Sequence, residues 1–297
     1  MNVRALFFLV VFGSFLIGCG GGSPKPVSPA VSPLAGNWLL VGPMPTNLLQ
    51  LSPVSGFRLA MTFDVTGNSL KAAGVSNQPC NNQDPSSPIV LVGVSSTDIT
   101  EGAIDADGSF TLQTPANFRG NLLSVQGKVP EAGGGWTGSY TASFTGPVEP
   151  PCGGTYSGTV TATSFPLVSG VYVGAGSSPS VPGAPGKPVT FQVSLQQGGI
   201  VTNSSTGIST PSSSVLTGSI QVSGSSCLSS GTIGPTPPGS VEGNLMTANF
   251  AMNDGSSLNF QGALKDSTEE TITSLFVVVT GGKCAGFYQL PEIDRQQ

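Results

Sequence analysis

The chain has 297 residues, only 8% of them charged, with 42 glycines, 25 prolines, no histidine and a formal net charge of −5. Without imidazole, Ser-His-Asp and Cys-His catalysis and most zinc sites are excluded. No cluster of Lys and Arg exists to displace counterions from a phosphate backbone, which argues against a nucleic-acid partner.

Residues 1 to 4 carry one positive side chain, and the charge-free apolar run Ala5 to Ile17 follows. That run is short for a membrane-spanning helix and has the flanks of a secretory h-region, so residues 1–18 read as a signal peptide. Leu16-Ile17-Gly18-Cys19 matches a lipobox, and on these residues the N-terminus resembles bacterial lipoprotein precursors. The resemblance implies cleavage before Cys19, diacylglycerol on its sulfur and a fatty acid such as palmitate on the new amino terminus. Several acyl chains anchor stably where one holds marginally, since each buried methylene contributes about 0.8 kcal/mol. Gly20 stands where an aspartate would resemble an inner-membrane retention signal, which implies the outer membrane of the bacterial envelope. An ordinary secretory signal with Cys19 near its cut is the alternative. Residues 19–33, rich in Gly, Ser and Pro, read as a lipid-anchored, semi-extended tether.

From residue 34 onward the text is strand after strand. "SFTLQT", "NLLSVQGKV", "GWTGSYTASF" and "GGTYSGTVTATSF" alternate apolar with small polar residues, and "VTFQVSL", "SVLTGSIQVSG", "LMTANFAM", "SLNFQGAL" and "ITSLFVVVT" do the same further on. The chain also repeats itself. Gly36-Asn37-Trp38 returns as Gly170-Val171-Tyr172, "MTFDV" as "VTFQV", and "PCGGTYSG" as "KCAGFYQL". Cys80 precedes Asp107-Gly108-Ser109 by 27 positions, and Cys227 precedes Asp254-Gly255-Ser256 by the same 27. The expectation is an all-β protein of two tandem homologous antiparallel domains, barrels or sandwiches, over 34–165 and 166–290, with a hinge near 163–169 and a polar tail at 291–297. The Gly36-x-Trp38 opening and the succession of hairpins resemble the calycin group of lipocalins and avidins, which implies up-and-down barrels; none of that group's binding residues carries over.

Four cysteines remain beyond Cys19. In an oxidising compartment an even number reads as disulfides, and the duplication favours Cys80 with Cys152 and Cys227 with Cys284, with cross-repeat pairing or free thiols as alternatives. Asp105, Asp107, Asp254 and Glu269-Glu270 lie in turn-like text; a calcium loop at Asp105-x-Asp107 or a hydrolytic carboxylate pair competes there with plain hairpin turns. Glu101 and Glu242 read as turn charges. Trp38, Trp136 and Tyr172, with Tyr140, Tyr156 and Tyr288 behind them, are candidates for a ligand pocket, although in short β domains such side chains more often plug the barrel end or fill the core. No catalytic residue, metal site or cofactor is expected. The functional expectation is an envelope-anchored binding or structural module facing an envelope protein or polysaccharide, with an apolar-ligand carrier and a carboxylate-dependent hydrolase as alternatives.

Overall fold

The computed structural model describes residues 32–43, 57–76, 100–114, 122–131, 134–144, 154–178, 187–202, 209–234, 239–267 and 271–296. Cys19, Cys80, Cys152 and Glu269-Glu270 lie outside them. Residues 32–297 form one compact unit, separate from 1–31.

The described residues are all-β. The first eight strands are β1 (Gly36–Gly42), β2 (Phe57–Thr66), β3 (Ser69–Ser76), β4 (Thr100–Ile104), β5 (Ser109–Gln113), β6 (Leu122–Lys128), β7 (Trp136–Phe144) and β8 (Gly154–Phe165). Each pairs antiparallel with the next, and β8 returns to β1 with Asn37 opposite Phe165, closing an up-and-down barrel. The second group is β9 (Ser169–Ser177), β10 (Pro188–Thr202), β11 (Ser209–Ser223), β12 (Ser230–Ile233), β13 (Gly239–Glu242), β14 (Leu245–Met252), β15 (Ser257–Leu264), β16 (Thr271–Thr280), β17 (Gly286–Phe287) and β18 (Glu292–Arg295). Here β12 and β13 both bridge β11 to β14, so together they fill one position in the ring, and β18 pairs with both β16 and β9. The result is a second closed antiparallel barrel. Closure removes the free edges that a sandwich would have left to protect.

Alternation drives both rings. Along β10, Phe191, Val193 and Leu195 are buried while Thr190, Gln192, Ser194 and Gln196 are exposed. Along β7, Trp136, Tyr140 and Ala142 point in, and Thr137, Ser139 and Thr141 point out. Apolar side chains inside and polar ones outside is the order of a barrel wall that faces water, the reverse of a lipid-facing barrel.

All nine strand segments read from the sequence are strands, but four expectations need correction. The polar tail at 291–297 contains β18, which closes the second ring: Ile293 is fully buried between exposed Glu292 and Asp294. A lone apolar residue is too little periodicity to announce a strand. The hinge is a short, engaged link, since Val168 is fully buried and its N–H donates to Gln197 Oε1 at 2.8 Å. Finally, the two Asp-Gly-Ser turns are not equivalent in topology: Asp107 lies between β4 and β5, the fourth and fifth positions of its ring, whereas Asp254 lies between β14 and β15, the fifth and sixth. Successive connections alternate ends, so these turns open at opposite ends of their barrels. Their common spacing from a cysteine does not reflect the repeat. The "Thr-Phe-x-Val" match also slides: Trp38 faces Met61, while Tyr172 faces Val193, four residues beyond Val189.

What the halves do share is deeper. Both rings open on a glycine with positive φ, 113° at Gly36 and 122° at Gly170, followed two residues on by an inward aromatic. Cys227 and Cys284 lie in the connections after the third and seventh ring positions and form a disulfide, with Cα atoms 5.8 Å apart. Cys80 and Cys152, outside the described residues, fall in sequence between β3 and β4 and between β7 and β8.

Candidate functional site

The aromatic candidates fill interiors. Trp38 and Trp136 are 2% and 5% exposed, with ring centroids 6.0 Å apart. Phe110 meets Trp136 edge-on at 5.2 Å, and Phe63 meets both Trp136 and Phe110 edge-on at just over 6 Å. Such edge-to-face contacts use the ring quadrupole as well as the area removed from water. Gly127 makes the cluster possible, because a Cβ there would lie 2.8 Å from both Phe110 and Trp136. Trp38 Nε1 donates to the Leu34 carbonyl at 2.8 Å. Toward the other end of the barrel Tyr140 stacks on Phe57 at 3.8 Å, and burial raises the pKa of its hydroxyl. In the second barrel Tyr172 is fully buried in the core with Phe191, Phe250 and Phe260. These rings occupy the space in which a lipocalin-like ligand would sit.

The acidic candidates act as turn pins. Asp107 Oδ1 accepts the Ser109 hydroxyl at 2.6 Å and its N–H at 3.0 Å, and Asp254 Oδ1 accepts the same two groups of Ser256 at the same two distances. Those bonds, the hydroxyl first, hold both carboxyls below the usual carboxylate range. Gly108 and Gly255, with φ of 82° and 84°, supply the left-handed residue each turn needs. Glu101 is exposed and pairs with Lys71 at 3.3 Å. Among the described residues there is no group of three or more His, Cys, Asp or Glu placed to hold a metal.

A concave surface does exist, on the second barrel. A crevice of about 830 Å³ runs beside the eighth ring position, lined by Pro188, Phe276, Val277, Tyr288, Leu290 and Pro291 together with Ala175 to Ser177. It arises because that position is split: β17 pairs with β16 at Val278–Val279, β18 pairs with it at Thr271–Thr273, and non-strand residues run between. Tyr288 sits at its wall, its hydroxyl donating to the Cys284 carbonyl at 3.1 Å, so the disulfide connection props the crevice. At the surface nearby Phe276 and Phe287 are 40% and 61% exposed and meet edge-on at 5.6 Å. Neither phenylalanine was a sequence candidate. The available signal was the run "TSLFVVVT", which puts apolar residues on both phases of the alternation and so leaves some facing out.

Sequence reasoning also missed the junction between the barrels. Asn37 and Gln197 exchange two amide hydrogen bonds at 2.9 and 2.8 Å. Asn37 also donates to the Pro166 carbonyl and Gln197 to the Ser213 carbonyl, while Gln197 Oε1 accepts from Val168 and Asn37 Oδ1 from Thr62 Oγ1. Every donor and acceptor of both amides is used. The β13–β14 turn presses into the same place: Gly243, at φ 58°, donates to Thr62 Oγ1 at 3.1 Å, and a Cβ on it would run into the Trp38 carbonyl. Ala60 and Thr62, on the outer face of β2, are buried under this turn.

No family model matches the chain, and no curated protein matches it. Among solved structures, a kievitone hydratase from Nectria haematococca is similar at 8% identity over 89% of this chain and 90% of that one, with a TM-score of 0.21. Nothing is carried from that enzyme to this chain.

Proposed function

We propose that the protein is a bacterial envelope lipoprotein, held by acyl chains on Cys19 at the outer membrane, whose twin barrels form a non-catalytic binding or structural module. The observation that supports this reading best is that both barrel interiors are filled by their own aromatic and aliphatic side chains, which leaves recognition to the outer surface. Polar barrel walls suit a body tethered in water beside a membrane, and the lipobox supplies the tether. Of the carboxylates weighed for a hydrolytic pair, Asp105, Asp107, Asp254 and Glu269-Glu270, Asp107 and Asp254 are engaged by their own turns in different barrels. The partner expected is an envelope protein or polysaccharide. Photo-crosslinking in intact cells, with the probe residue placed on exposed barrel-wall positions, tests the reading: a discrete adduct that disappears when Cys19→Ala releases the protein from the membrane supports it, and turnover of an envelope glycan by the purified protein would overturn it.

A carrier of an apolar molecule is the second reading, favoured by the crevice beside Tyr288 and not by the barrel interiors. Its volume falls within the range of small-molecule sites. Solvent extraction of protein purified from its native membrane, followed by mass spectrometry, separates the two readings by the presence or absence of a stoichiometric apolar passenger.

A further inference from the structure

Glu242 ends β13 one residue before the Gly243 turn, the part of the second barrel pressed against the backbone of the first. It is 3% exposed. Ser240 Oγ donates to its Oε2 at 3.2 Å, while Oε1 is buried with no hydrogen-bond partner among the described residues. Around it β1, β11 and β14 carry no charged residue. On β2, Asp64 is engaged by the Ser213 N–H at 2.9 Å and Arg58 is exposed; on β3, Lys71 is exposed and paired with Glu101. A buried carboxylate with one oxygen unsatisfied and no cation against it is strongly disfavoured over the neutral acid.

We propose that Glu242 makes the junction between the barrels a proton-dependent latch, in which the neutral carboxyl lets the β13–β14 hairpin seat on the first barrel and loss of its proton to solvent favours release. Burial, opposed only by the Ser240 hydroxyl, raises the carboxyl from 4.5 to about 7. The sign follows from linkage. Below the ordinary carboxylate value the seated and released hairpins are both protonated and the junction has its full strength. As pH rises toward 7 the seated form keeps a proton that the released form has lost, so seating weakens; above that the loss is complete and constant. Each pH unit across this window is a factor of about ten, so the seated-to-released ratio falls on the order of a hundredfold between pH 5 and pH 8.

Hydrogen exchange on the full mature chain reads this directly, because the Gly243 and Ser213 amides donate across the junction, to Thr62 Oγ1 and Asp64 Oδ1. Protection of both amides, corrected for intrinsic rate, is expected to fall on the order of a hundredfold from pH 5 to pH 8 in the native protein and to stay level in Glu242→Gln. Equal losses in both proteins, or none in either, would overturn the latch. A carbon-13 titration of the Glu242 carboxyl in the native protein decides the matter independently of whether the variant folds: a midpoint in the ordinary carboxylate range rejects the proposal, and one near neutrality supports it.

Discussion

Asn37 and Gln197 illustrate how much a pair of side chains can specify. Their reciprocal amide bonds, with the surrounding Thr62, Pro166, Val168 and Ser213 groups, leave no polar atom of either amide unpaired inside the junction. A buried polar group is costly mainly when its partner is removed, so the two residues should behave as a unit. Asn37→Leu and Gln197→Leu are each expected to cost about 2–3 kcal/mol, because each strands the other amide; the double variant should cost less than the sum by at least about 1 kcal/mol. Urea denaturation of the four proteins gives the coupling, and strict additivity would show that the amides act separately. Neither residue was legible as a junction in the sequence. A single Asn beside Trp38 and one Gln in "SLQQGG" carry no pattern, since their meaning comes entirely from a contact 160 positions apart.

At the scale of strands and connections, alternation made most of the fold readable. Segments such as "GWTGSYTASF" and "SLNFQGAL" carry period-two patterning over many residues, and they became β7 and β15. The short elements β12, β13, β17 and β18 did not stand out, because two to four residues cannot establish a period. β12, β13 and β18 are held by pairing on both sides, and β17 by its pairing with β16. The Asp-Gly-Ser turns teach a related lesson: Asp107 and Asp254 build the same local structure to within 0.1 Å in their hydrogen bonds, yet at different ring positions. Turn chemistry is local and recurs wherever a tight hairpin is needed, so it is a poor marker of descent. The cysteines are better markers, since the Cys227–Cys284 bridge ties the third and seventh connections across one barrel end and spans 57 positions. In the chain-entropy description such a loop stabilises by about 4 kcal/mol. Replacing both cysteines by serine should lower the unfolding free energy of the second barrel by about that amount in urea titrations; a change under about 1 kcal/mol would mean that the barrel end is held without the bridge.

For the whole molecule, the proposed envelope tether rests on the N-terminal motif, the sequence carries no histidine chemistry, and the fold bears on where recognition is possible. Under the proposed reading, two closed rings with polar walls and packed interiors leave a partner the surface, which includes the crevice beside Tyr288 and the Phe276–Phe287 pair. The functional candidates named from sequence, Trp38, Trp136 and Tyr172, were aromatic residues in strands, and a strand aromatic looks the same whether it points into a core or into a cavity. Only closure of the ring decides which, and closure depends on pairings such as Asn37 with Phe165 that no local pattern encodes. The most direct test is native mass spectrometry of the protein released from its own membrane in mild detergent. The expected species begins at an acylated Cys19 and carries no bound small molecule; a chain without acyl groups, or one holding a stoichiometric ligand, would contradict a lipid-tethered module that recognises its partner through its surface.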